Sequence, residues 1–192
     1  MNPGLQRFHR HQLPWQPWKN GGGQTREIVC QPAGASIEDF DWRVSIAGLR
    51  ADGPFSCFAS VERTMVLLDG PGVHLRSRCG AVDHALDQAL QPFTFDGGLQ
   101  IDARLLGGPS EDLNIMTRHG RCFAQFARVQ ERSAAGALSG VLLVLAGCWR
   151  SPRLGAALQK DEGLWWSGQE MQAFEPGSPQ AQALLVRIMT PA

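Results

Sequence analysis

Trp42-Arg43-Val44-Ser45-Ile46-Ala47 alternates along its length and is followed by the turn residues Ala51-Asp52-Gly53-Pro54. A period of two sets Trp42, Val44 and Ile46 on one face of an extended strand and Arg43 and Ser45 on the other. The same unit, a short run closed by Gly, Pro or Asp, recurs. Residues 65–68 run into Asp69-Gly70-Pro71-Gly72, and further runs cover 73–76, 91–95, 99–105 and 113–118. With 22 Gly and 12 Pro to make turns, short strands at this spacing predict an all-β chain, an antiparallel sandwich or barrel with little helix.

A second part begins near Arg121. Residues 123–129 alternate, 131–140 form a small-residue turn region, 141–145 end at Gly147, and 183–189 read as a closing strand. An edge as apolar as that last run calls for a pairing partner. The stretches 64–70 and 140–147, both hydrophobic and both closed by glycine, look like equivalent places in two related halves.

Composition bounds the setting. The 192 residues are 43% hydrophobic and 19% charged, enough apolar content for one or two small cores. Lys plus Arg equals Asp plus Glu at 18 each, so no global field recruits nucleic acid or an anionic membrane, and any anion site must be local. Arg76-Ser77-Arg78 is too short a basic cluster for nucleic acid. The longest apolar stretch, 141–146, falls far short of the roughly 20 residues of a spanning helix, and no signal-peptide core is present. These features predict a cytoplasmic protein. Five cysteines with no CxxC pair fit reduced, buried thiols better than a disulfide framework or zinc site.

The segment Pro17-Trp18-Lys19-Asn20-Gly21-Gly22-Gly23-Gln24-Thr25-Arg26-Glu27-Ile28 joins an aromatic ring, cations, an amide and three glycines before a strand-like run. Three glycines in a row cost backbone entropy to order, which points to a tight bend or a close backbone approach. Lys19 offers a point charge, Arg26 a bidentate fork and Trp18 an apolar cover for an anionic ligand. The alternative is a surface turn with Trp18 tucked into the core. A phosphate-binding P-loop is excluded, since no Lys-Ser/Thr pair follows the last glycine.

PWKNGGGQTREI (17–28), WRVSIAGLRADGPFSCF (42–58), VERTMVLLDGPGVHL (61–75), PFTFDGG (92–98) and DLNIMTRHG (112–120), in this order, resemble the HutD/Ves family over most of the first 120 residues. The resemblance implies a bicupin: a cupin-like jelly-roll barrel from residues 1–120 and a smaller cupin-like unit from 121–192. It also implies an association with bacterial histidine utilisation, through restraint of that pathway and binding of an intermediate such as urocanate or formylglutamate. Family members are not established enzymes.

Cupin metal sites converge a His-x-His pair and a Glu from neighbouring strands. Here Ser56 and Phe58 stand where the histidines would be, with Glu62 and Gly70 following at similar spacing. Phenylalanine cannot ligate a metal, His9 and His11 lie near a terminus expected to be mobile, and His74, His84 and His119 are scattered. No metal and no cofactor are expected. What remains is a polar set on strands. Asn114, Met116 and Arg118 share one face of 113–118, as Arg43 and Ser45 do on theirs. If these faces line the barrel, Arg43 and Arg118 are desolvated cations that need an anion. Otherwise both point to solvent and pair with Glu27, Asp41 or Glu62. Trp149, Trp165 and Trp166 could form a ligand shelf, although adjacent tryptophans on a strand face opposite ways. A Ser56-His74-Asp83 triad lacks the GxSxG elbow that would support it.

The resulting expectation is non-catalytic binding of a small carboxylate metabolite by Trp18, Lys19, Asn20, Thr25, Arg26, Arg43, Ser45, Phe55, Ser56, Glu62, Asn114, Met116 and Arg118. A homodimer is allowed, and nucleic-acid and membrane partners are not expected. Two other classes stay open: a metal-independent cupin enzyme, an isomerase or hydrolase using Glu62 or His74 on an imidazole-derived acid, and a protein-interaction scaffold.

Overall fold

The computed structural model describes residues 4–18 and 21–191, so Lys19 and Asn20 lie outside the described residues. Eighteen strands run in chain order: β1 Leu5–His9, β2 Gln16–Pro17, β3 Gly23–Gln31, β4 Trp42–Leu49, β5 Gly53–Pro54, β6 Val61–Asp69, β7 Val73–Ser77, β8 Asp83–Leu86 and β9 Pro92–Asp96. They continue with β10 Ile101–Leu105, β11 Ser110–Arg118, β12 Phe123–Val129, β13 Ser139–Ala146, β14 Cys148–Arg150, β15 Leu158–Gln159, β16 Glu162–Trp166, β17 Glu175–Pro176 and β18 Gln182–Met189. No helix occurs among the described residues, so the expected all-β class holds. No described helix is long and apolar enough to cross a membrane.

The chain divides into two compact units, Pro14–Cys122, and Met1–Leu13 with Phe123–Ala192. The amino-terminal segment, assigned to the first unit from sequence, pairs through β1 with β16 of the other, Leu5 opposite Trp166 and His9 opposite Glu162. His9 therefore sits in a paired strand and not in a mobile tail.

In Pro14–Cys122 a six-stranded sheet of order β2-β3-β4-β11-β6-β9 faces a four-stranded sheet of order β5-β10-β7-β8. Both are open, and neither closes into the expected continuous barrel. Between them lie Ala47 and Leu49 of β4, Met65 and Leu67 of β6, Val73 and Leu75 of β7, Phe95 of β9 and Ile101 of β10. Their alternation fixes the inward set on each central strand: 43, 45, 47 and 49 on β4, 61, 63, 65 and 67 on β6. The opposite face is apolar too, with Val44, Ile46, Val66, Leu113 and Ile115 all buried. Strands buried on both faces lose the clean apolar-polar alternation of a half-solvated sheet.

The other unit repeats this wiring. Its larger sheet contains the order β12-β18-β13-β16, which matches β4-β11-β6-β9 strand for strand, each reading first, last, second, third along the chain. Its smaller sheet, β15-β14-β17, matches β8-β7-β10. The stretches 64–70 and 140–147 thus fall on corresponding strands, β6 and β13. Leu142, Val144, Trp149, Leu158, Leu164, Trp166, Phe174 and Leu185 fill the interior of this unit. Trp149 and Trp166 are core residues, and only Trp165 of the supposed shelf is partly exposed. The five cysteines are free, yet Cys57 and Cys79 are exposed, not buried as expected.

The glycine run separates into different duties. Gly21 has φ of 72°, with open space where a side chain would stand, whereas a Cβ on Gly23 would come within 2.7 Å of the Gly48 carbonyl oxygen and 2.9 Å of the Trp18 ring. Gly23 begins β3 opposite Leu49, and Trp18 packs over it. Gly23→Ala should cost about 2 kcal/mol or more by displacing the β4 backbone or Trp18, and Gly21→Ala about 1 kcal/mol through its left-handed conformation alone. Chemical denaturation of both variants checks this ordering, and equal costs would contradict it.

Candidate functional site

The inward positions of β11 are Asp112, Asn114 and Met116. Across the ladder, Arg43 of β4 and Arg63 of β6 flank Met116, Ser45 and Met65 flank Asn114, and Ala47 and Leu67 flank Asp112. The Cα atoms of the two arginines are therefore about 10 Å apart, two inter-strand spacings. Arg43, Arg63, Asn114 and Asp112 are only 8, 6, 2 and 0% exposed. Ionisable groups reach such burial only when something compensates them.

Arg43 Nε donates to Glu27 Oε2 at 2.8 Å, and a terminal nitrogen lies 3.5 Å from Ser45 Oγ. The Glu27 side chain, on β3, keeps 38% of its surface exposed, so this ion pair stands where the interior meets solvent. Arg63 Nε donates to Asn114 Oδ1 at 2.7 Å, and its guanidinium lies 4.6 Å from the centre of the Phe55 ring and 5.8 Å from that of Phe95. Trp18 meets Phe55 edge-on at 6.0 Å and donates through Nε1 to Thr25 Oγ1 at 2.7 Å. Both guanidiniums lean along their strands toward one level, that of Ser45 and Asn114.

Charge at this level is not balanced in the usual way. Burial pushes Arg63 down to about 10, against the pull of Asp112 and with added repulsion from Arg43. Burial likewise drives the Asp112 carboxyl up to about 7, opposed by Arg63 and assisted by Glu111. Neither Asp112 oxygen has a hydrogen-bond partner among the described residues, nor does Asn114 Nδ2. The site offers two cations and a free amide donor at one level, which suits an anion, and an unused carboxyl at the next.

Of the sequence-predicted residues, the structure brings together Trp18, Thr25, Arg43, Ser45, Phe55 and Asn114. Met116 shares their face but packs with Phe40 and Val61. Arg26 stands opposite Ile46, on the other face of the sheet from Arg43, and stacks 3.9 Å over the Trp15 ring. Glu62 alternates to that other face as well, since Arg63 points inward. Ser56 is exposed beyond β5. Arg118 donates from Nε to the Phe40 carbonyl at 2.8 Å and from a terminal nitrogen to that of Glu38, and so ties down the loop before β4. Lys19 and Asn20 lie outside the described residues.

Arg63 and Asp112 escaped the sequence reading. Their signal was parity: in Val61-Glu62-Arg63-Thr64-Met65-Val66-Leu67 the arginine falls in the apolar set, and Asp112 falls in the set of Asn114. His74 bonds Asp83 at 2.7 Å, but it alternates outward from Val73 and Leu75. No group of three or more His, Cys, Asp or Glu residues among the described residues is arranged to hold a metal ion.

This is a cupin-like all-β architecture, and the comparisons specify it further. The HutD family model matches residues 10–185, and the chain belongs to that family. The chain is 42% identical to Protein Ves of Citrobacter koseri over 166 residues, covering 84% of this chain and 83% of that one. HutD from Pseudomonas fluorescens SBW25, in the formate condition, superposes with a TM-score of 0.82 at 29% identity over 98% of this chain and 100% of that one. An oxalate decarboxylase from Lactobacillus farciminis, at 9% identity over 97% of this chain and 86% of that one, shares the fold alone with a TM-score of 0.62.

The raised Asp112 carboxyl sets a pH dependence. Its unfolded reference is 3.8 and its folded value about 7, so its contribution to stability is complete below about pH 4 and is lost as pH rises through 7. The slope in that window reaches at most about 1.4 kcal/mol per pH unit. Asp112→Asn should flatten this slope and raise the ligand-free melting temperature more at pH 8 than at pH 5. Equal shifts at both pH values would show that Asp112 ionises normally.

Proposed function

We propose that the interior of Pro14–Cys122 binds a small carboxylate metabolite, without catalysing a reaction, in a sensing or buffering role. One observation carries the reading. Arg63 is a buried guanidinium in no ion pair among the described residues, bonded through Nε to a neutral amide and faced by aromatic rings. Cation–π contact and one neutral acceptor leave most of its donors available to an anion entering from the Arg43–Glu27 end. Membership of the HutD family supports a ligand from histidine utilisation, urocanate- or formylglutamate-like, in the cytoplasm. The repeated strand order supports reading the chain as a bicupin of two jelly-roll units, with the ligand in the one whose interior carries the buried arginines. The enzyme alternative loses its named groups, since Glu62 and His74 both face away from this interior.

Arg63→Gln and Arg43→Gln should each weaken binding of urocanate or formylglutamate more than tenfold by calorimetry, about 1.5–3 kcal/mol for a lost charge-assisted contact. Ligand-free stability should hold or rise in Arg63→Gln, which removes a buried cation that is in no ion pair among the described residues, and should fall slightly in Arg43→Gln, which strands Glu27. Unchanged affinity in both variants would place the ligand elsewhere.

A further inference from the structure

Asp112 is a different kind of group from the arginines. It is fully buried on the inward face of β11, one strand step beyond Asn114, and both its oxygens lack a hydrogen-bond partner among the described residues. A carboxyl whose two oxygens go unused inside a packed sandwich is costly to keep, because its desolvation is not repaid by donors. Leu67 and Ala47 flank it on the neighbouring strands and supply no donor. The charged groups that act on it are Arg63, on the side of the anion level, and Glu111 of its own strand. A second anion beside it would be repelled once it ionises, so the complementary group is a donor.

We propose that Asp112 selects the ligand by accepting a hydrogen bond from an N–H at its far end, so that the site takes a short acid with a carboxylate at one end and an N–H at the other. The inference rests on the carboxylate reading above and adds the second pole. The spacing follows from the strand. Asn114 and Asp112 are two residues apart, about 7 Å. Allowing about 2.8 Å for the hydrogen bond leaves about 4 Å between the carboxylate and the donor nitrogen. The aromatic faces of Phe55 and Phe95 beside Arg63, at the carboxylate pole, suit a flat, unsaturated acid. The donor turns the unused carboxyl into a partner and favours its ionised form, as hydrogen bonds to a carboxylate do.

A matched pair of acids separates this inference from the reading it rests on. Urocanate and 3-(2-furyl)acrylate share a carboxylate, a vinyl spacer and a flat five-membered ring, but only the first has a ring N–H. Calorimetry on the wild-type chain at pH 7.5 should show urocanate binding at least tenfold more tightly. In Asp112→Leu, which replaces the buried carboxyl by an apolar side chain of the same branching, the preference should fall below about threefold while furylacrylate binds at least as well as before. Equal wild-type affinities, or a preference that survives Asp112→Leu, would overturn the role of Asp112 and leave the arginine-based reading standing. Failure of both acids to bind the wild-type chain would overturn both. The wild-type comparison stands even if the variant does not fold.

Discussion

Keeping two arginines inside a small β sandwich constrains everything around them. Arg43 is compensated at the rim by Glu27, which reaches in from the neighbouring strand while staying half in water. Among the described residues Arg63 has no acidic side chain bonded to it, and it is held by Asn114 and by the faces of Phe55 and Phe95. The rings extend outward from there. Phe95 stacks on Phe93 at 5.8 Å, Phe93 on His84 at 3.8 Å, and Phe55 meets Trp18. This wall joins β9, at an edge of the six-stranded sheet, to β8, at an edge of the four-stranded one. The same rings therefore cover one side of the sandwich and screen the cation.

The two units show one wiring with two different interiors. Strand order is the same in both, yet the interior between the sheets of one holds Arg43, Arg63, Asn114 and Asp112, while that of the other is occupied by Trp149, Trp166, Phe174 and leucines. The burial of tryptophan and phenylalanine supplies the large apolar area that a small unit needs. The unit with the arginines also buries an apolar core, Leu49, Met65, Leu67 and Leu75 among it, and gives up part of that area only at the positions of Arg43, Arg63, Asn114 and Asp112.

Much of the fold was legible because its signals are local. Alternation in 42–47, the glycine-closed runs and the small-residue turns mark the central strands to within a few residues. What was missed has physical reasons. Strand β1 is short and mostly exposed, and it gains its identity only from distant pairing with β16. Strands β14, β15 and β17 are two or three residues long, too short for any period to emerge. For the site, parity grouped Arg43 with Ser45 and Asn114 with Met116, but the inward face could not be chosen when both faces are apolar. Arg26 was read as an anion fork because it follows the glycine run, yet the register sets it opposite Ile46, on the other face from Arg43. Arg118 shares the parity of Asn114 and still does other work, because backbone carbonyls of the 38–40 loop reach it first.

A crystal structure grown with formylglutamate would show directly whether the buried arginines hold a carboxylate. One carboxylate of the ligand should lie between Arg43 and Arg63, with its oxygens about 2.7–2.9 Å from guanidinium nitrogens and within reach of Asn114 Nδ2. A ligand bound on the surface, or on the face that carries Arg26, with the Arg63 level still unfilled, would contradict it.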